Sequence, residues 1–360
     1  MLNSSEEASP KPRLGFLLRN ARLLSKMKKV DKEEIEKFVN SIERFNRCVV
    51  PDFEETGGPM EEGMIYLMFN SENGMMPIDS VFRLFWVNSP QLRFSFLDSF
   101  FISTKFTSGR WEKKFSKAIF QTSKHNFHQE VHVDEFEMIF DGEISTGYSL
   151  YFVDRKNNIS GHLKYDPLED GVITYFNGKM ALTPSIAQKA YDIFAIKVTG
   201  KIEVQGKEIE IKDGRGIVEH SLGIFSGYNI HCWRWLNLQF PEGTLHLFHH
   251  PITMGKEGII EAGEGAALME GKWYHFLRDE FKIEEIEYVH DETINTEIPV
   301  KWRVVGEPFD FIVKKKTHLS WGGNIGPTNE YIANYVLEAD GKWKGKETKG
   351  SGTMEYLFHV

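Results

Sequence analysis

Apolar positions along this chain change period once. From Asp31 to Phe45 they recur at helical spacing: Ile35, Phe38, Val39 and Ile42 fall on one face. Asp31 caps that segment and Glu33 and Glu34 sit in its first turn, where the helix dipole favours acids. Pro51 ends it, so the pattern predicts one short N-terminal helix. From Gly63 to Glu210 the chain breaks into short runs rich in Phe, Ile, Val and Tyr, separated by turn signals such as Asn73-Gly74, Asp141-Gly142, Asn157-Asn158 and Asn177-Gly178. Alternation marks strands at Val131 to Phe140 and Tyr148 to Val153, and Ile173 to Phe176 reads as a strand entering a hairpin at Asn177-Gly178. Ser185 to Tyr191 reads as a helix-like piece capping this first unit. The strand pattern resumes over His231 to Phe240, turns at Pro241-Glu-Gly243 and returns over Thr244 to His250. Further strands are predicted at Phe281 to Tyr288, Val300 to Val305, Phe309 to Val313, Tyr331 to Glu338 and from Gly352 to the end. Many short strands and few helical stretches predict an antiparallel sandwich or barrel.

One element occurs twice. Gly214-Arg-Gly-Ile-Val-Glu-His220 and Gly350-Ser-Gly-Thr-Met-Glu-Tyr356 share the pattern G-x-G-x-x-E-(H/Y). Their upstream flanks, Val198 to Glu208 and Leu337 to Glu347, agree as well. A repeat of this kind predicts two copies of one folding unit, each closing on the same strand. A chain of 360 residues is long enough for two cores. The expected division is a leader and helix over 1–50, a first unit over 51–226 and a second over 227–360.

The formal charge of −9 argues against nucleic acid and anionic lipid as non-specific partners, since both select a basic face. Two cysteines, Cys48 and Cys232, make neither a disulfide framework nor a zinc spacing, which fits a reducing, cytoplasmic setting. No apolar run is long enough to span a bilayer. Arg13 to Lys29 mixes leucines with basic residues, so it reads either as a loosely packed or disordered leader or as a short interfacial helix touching a membrane.

The stretch from Tyr191 to Ile224, with the strand Trp233-Arg-Trp235 and the closing Gly350 to Tyr356, resembles the AttH and hydroxyneurosporene synthase (carotenoid 1,2-hydratase) superfamily. Its signature reads G-x-G-(Y/W)-x-D-(H/E)-x-W-G, and here Glu219 replaces the Asp and Leu222 the Trp. The resemblance implies two tandem lipocalin-like β-barrels and, for some members, hydration or cyclisation of apolar isoprenoid or polyene substrates.

Such chemistry needs a proton donor facing an apolar ligand. A carboxylic acid desolvated in an apolar interior holds its proton to higher pH, which makes Glu219 and His220 the candidate catalytic groups. His231 is a candidate relay. Trp233 and Trp235 share one strand face and could stabilise a developing cation. With Tyr228 and His246 they are the candidate substrate-binding residues. The bland alternatives are a purely structural role for Glu219 and Glu355 at a closing strand, glycines serving a bend, and core packing for both tryptophans. His246 and His250 share a strand face while His249 points away; with His231 or Glu219 they could ligate a metal, but the spacing is not diagnostic, and neither a metal nor a cofactor is expected. His125, His128 and His132 read as surface or loop histidines. No nucleotide fingerprint, P-loop or G-x-S-x-G elbow is present. Three functions compete: a cofactor-independent hydratase or cyclase on a hydrophobic small molecule, a non-catalytic carrier of such a molecule, and a scaffold whose cores are solidly filled.

Overall fold

The computed structural model describes residues 28–30, 61–72, 77–88, 93–103, 111–115, 119–122, 127–143, 147–167, 172–174, 180–183, 186–224, 232–253, 259–325 and 328–359; side chains are described chiefly within 132–166, 196–214, 232–249 and 263–357. The helix expected over Asp31 to Phe45, most of the leader, His125 and the Asn177-Gly178 turn lie outside these residues, as do Tyr228 and His231.

The described chain is almost entirely β. The first fourteen strands are β1 (Lys28–Val30), β2 (Glu61–Glu72), β3 (Pro77–Asn88), β4 (Arg93–Ser103), β5 (Trp111–Phe115), β6 (Ile119–Thr122), β7 (Phe127–Val133), β8 (Phe136–Glu143), β9 (Gly147–Asp154), β10 (Ile159–Pro167), β11 (Val172–Thr174), β12 (Met180–Thr183), β13 (Ile186–Val204) and β14 (Lys207–Ile224). They form one sheet whose main path is β5-β4-β3-β2-β14-β13-β10-β9-β8-β7-β6. The next nine are β15 (Cys232–Phe240), β16 (Gly243–Thr253), β17 (Ile259–Met269), β18 (Lys272–Leu277), β19 (Phe281–Asp291), β20 (Thr296–Gly306), β21 (Phe309–Ile325), β22 (Thr328–Trp343) and β23 (Lys346–His359). They form a second antiparallel sheet, in the order β18-β17-β16-β15-β23-β22-β21-β20-β19.

Both sheets follow one rule. The last strand pairs the first long one, β14 on β2 and β23 on β15, and the two edge strands are consecutive in the chain. The repeated glycine-rich element lies in β14 and in β23, the closing strand of each sheet. Its repeated flank is the preceding hairpin: Gln205-Gly206 and Lys344-Gly345 both have positive φ, the primed-turn geometry that matches strand twist. In β23 the glycines admit close backbone approach. A Cβ on Gly352 would meet the backbone of β15, with Leu238 Cα at 2.9 Å.

Two expectations need correction. Among the described residues each sheet keeps two unpaired edges, β5 and β6 or β18 and β19, so neither closes by hydrogen bonds into a full barrel. The segment read as a capping helix before Tyr191 is instead the start of β13, paired with β14 from Ala187↔Ile224 onward and also with β12. Ala187, Gln188, Lys189 and Ala190 favour helix locally, but two neighbouring strands supply backbone partners that outweigh propensity. Ile173 does lie in a strand, yet β11 and β12 both pair with β13. The leader also contributes: Lys28–Val30 pairs with β11. His128 and His132 belong to β7, where His132 is exposed.

The inner face of the second sheet is a continuous apolar core drawn from both ends of the strand order, including Leu236, Leu247, Phe281, Trp302, Phe311 and Tyr335. One end of it is filled with rings. Phe240 stacks on Phe311 at 4.7 Å, Phe309 on Trp343 at 5.9 Å, and Phe276 meets Phe309 edge-on at 5.2 Å.

Candidate functional site

Strand alternation along β15 builds two different faces. Leu236, Leu238 and Phe240 point into the core, so Cys232 and Arg234 of the same parity do too. Trp233, Trp235 and Asn237 point the other way. The directly opposite partners of Arg234 are Tyr356 on β23 and His249 on β16.

At the end opposite the ring-filled one, the interior turns polar. Arg234 Nε donates to Glu285 Oε1 at 2.9 Å, and its Nη2 donates to the same oxygen. Arg234 Nη1 lies 3.0 Å from His249 Nδ1, and the guanidinium sits 5.2 Å over the Tyr356 ring. Tyr288 OH donates to Glu285 Oε2 at 2.6 Å. Glu285 comes from the edge strand β19, far from β15 in the strand order, so this pair spans the curled interior. Both side chains are largely buried, at 12% and 15% exposure. A buried ion pair is tolerated only with such dense hydrogen bonding. Burial opposes the charge on Arg234, yet Cys232, Glu285 and Tyr356 outweigh it and its pKa is raised. Burial raises the pKa of Tyr356 and of the Cys232 thiol, so both stay protonated. Tyr288 is pushed up to about 12, chiefly because its hydroxyl donates to Glu285.

A second polar group lies further round the same interior. Asp291, at the end of β19, accepts from Thr293 N at 2.8 Å and from Ser320 Oγ at 2.5 Å, and its Oδ2 lies 2.7 Å from His318 Nε2. Burial favours the protonated acid, but these hydrogen bonds prevail and hold Asp291 at about 2. The serine and the histidine both bind the carboxylate, so the imidazole does not stand between them as in a nucleophilic relay.

The opposite face of β15 gathers part of the set chosen from sequence. Trp235 and His246 meet edge-on at 5.2 Å, and Trp233 Nε1 donates to Glu355 Oε1 at 3.1 Å. His246 is fully buried, which pulls its pKa down to about 3 and keeps the ring neutral. Glu355, in the closing strand β23, therefore accepts from a tryptophan indole of β15. As expected, His246 and His249 point to opposite faces, His246 to the Trp235 side of the sheet and His249 to Arg234.

Glu219 and His220 lie in β14, where Glu219 is opposite Asp192 and Tyr66 and His220 opposite Tyr191 and Ile65; their side chains, like that of His250, lie outside the described residues. Among the described residues no cluster of three or more His, Cys, Asp or Glu side chains is placed to hold a metal, and no helix is long and apolar enough to cross a membrane.

Sequence reasoning missed Arg234, Glu285, Tyr288, Tyr356, Asp291 and His318. A signal existed. Arg234 interrupts the inward series Cys232, Leu236, Leu238, Phe240, and Glu285 interrupts Phe281, Ile283. A charge at an inward position of a strand is a buried-polar observation, the informative kind.

No protein-family model and no curated protein sequence matches this chain. Solved structures do. A protein assigned as AttH from Nitrosomonas europaea superposes with a TM-score of 0.62 at 15% identity, over 85% of this chain and 95% of the other. CghA, in a structure with Sch210972, gives 0.61 at 12% identity over 83% and 88%. Kievitone hydratase from Nectria haematococca gives 0.55 at 12% identity over 82% and 88%. The chain shares the fold of these proteins.

Proposed function

We propose that this protein binds an apolar small molecule bearing an oxygen function, with its polar end at Arg234 and Glu285, and acts on it by proton transfer as a cofactor-independent hydratase or cyclase. The observation that carries this reading is the division of the second sheet's interior into a ring-filled end and an end of charged and titratable groups. An ion pair there adds little to folding that leucines would not supply, so its presence is best explained by a ligand. Among the proteins of this fold, one is named a hydratase and another was solved with Sch210972.

In this reading the chain is two lipocalin-like cans, 51–226 and 227–360, divided where β14 ends and β15 begins. Glu219 of the first glycine-rich element supplies the acid. Glu219→Gln then abolishes turnover with little loss of stability; a large fall in melting temperature with turnover retained points to a structural carboxylate instead. One observation favours a carrier: Arg234, Glu285 and Tyr288 already satisfy one another, so none of them stands ready to give a proton to a ligand.

Titration of the purified chain with cis-parinaric acid, an apolar polyene with a carboxylate end, tests the reading. Saturable fluorescence enhancement is expected, weakened roughly tenfold in Arg234→Met, the loss of one charge-assisted hydrogen bond. No saturable binding, or equal binding by both proteins, would contradict it.

A further inference from the structure

Tyr335 and Trp302 are 1% and 0% exposed, and neither the Tyr335 hydroxyl nor the Trp302 indole N–H has a hydrogen-bond partner among the described residues. Buried donors are almost always paired, so two in one place call for a reason. They do share one place. The Tyr335 ring lies 5.1 Å from Trp302 and 5.8 Å from His318, which is stacked on it at 22°. Val304, Val313, Ile298 and Ala333, all fully buried, belong to the same core.

The third polar tip is a base. Asp291 is ionised and accepts from Ser320 and Thr293, so the proton in its 2.7 Å contact with His318 resides on Nε2. Burial lowers the pKa of His318 and keeps the ring neutral. The Nδ1 lone pair is therefore an acceptor. Tyr335 stays a donor, since burial raises its pKa well above the usual value. Trp302 can only donate.

We propose that His318, Tyr335 and Trp302 form a binding site for a neutral, mostly apolar molecule carrying a carbonyl beside a hydroxyl. The carbonyl oxygen accepts from Tyr335 and Trp302, and the hydroxyl donates to His318 Nδ1. Asp291 is a positioning residue that fixes the tautomer. The site deepens the reading above and rests on its premise that the second sheet's interior admits a small molecule.

The test uses the full chain labelled with ¹⁵N-histidine, α-hydroxyacetophenone as probe and acetophenone as the control lacking the hydroxyl. His318, assigned through His318→Gln, should show the Nε2–H tautomer at neutral pH, and Asp291→Asn should mix the tautomers. The hydroxyketone should shift the Nδ1 resonance and bind roughly tenfold more tightly than acetophenone, the value of one hydrogen bond. Tyr335→Phe and Trp302→Phe, checked for unchanged urea midpoints or better, should each weaken it by a similar factor. An Nδ1–H tautomer, no shift at saturation, or full-strength binding by both variants would overturn the assignment. Parinaric acid binding without hydroxyketone binding would sink this site alone; failure of both probes would sink the small-molecule reading with it.

Discussion

Arg234 carries its charge into an interior of leucine, phenylalanine and tryptophan, and Glu285 makes that tolerable. Glu285→Gln leaves the cation uncompensated and should lower stability by about 3–5 kcal/mol in urea denaturation. The double change Arg234→Met with Glu285→Leu should recover most of that loss; equal cost for the single and double variants would contradict the pairing. His246 gives a pH prediction. Its unfolded imidazole titrates near 6.5 and its buried one near 3, so between these values only the unfolded state takes up the proton. Stability should fall as pH drops below about 6.5, and His246→Gln should flatten that slope in urea midpoints measured from pH 7 to pH 4. Asp291 acts in a lower window with the same sign: its folded value of about 2 lies below the ordinary 3.8, so its contribution is present above pH 4 and lost toward pH 2. Legibility at this scale was mixed. The opposite facings of His246 and His249 followed from strand parity alone. Arg234 meets Glu285 across fifty intervening residues and a curled sheet, which no local pattern encodes.

Elements were more legible than their partners. Strands such as β8 and β9 showed in alternation because one face is buried and the other is less so, whereas β15 is buried on both faces and showed by its apolar and aromatic content between turn signals. β21 and β22 run well past the segments predicted for them, since both pair along their length and need no alternation to persist. The start of β13 misled for the reason already given, helix-favouring residues held between two strands. The repeated glycine-rich element was readable, and its role is close approach of β23 to β15. Gly352→Ala would press a Cβ against that strand and should cost upward of about 2 kcal/mol. Gly206→Ala, with open space around it but positive φ, should cost only about 1 kcal/mol. Chemical denaturation of both variants checks the order; the reverse ranking would mean that β15 and β23 are less tightly apposed than described.

At the scale of the molecule, each sheet pairs its closing strand with its first long one, β14 with β2 and β23 with β15, and among the described residues the main path of each ends at two strands consecutive in the chain; the first sheet adds β1, β11 and β12 beside β13. The unpaired seams were not legible in the sequence, because edge pairing depends on how far each sheet curls. What the second sheet encloses is the central matter, and native mass spectrometry of the purified chain, followed by solvent extraction, addresses it most directly. A stoichiometric apolar adduct bearing at least one oxygen function is expected, lost when Arg234 and Glu285 are both replaced by apolar residues. A chain of bare polypeptide mass that also refuses cis-parinaric acid would contradict it.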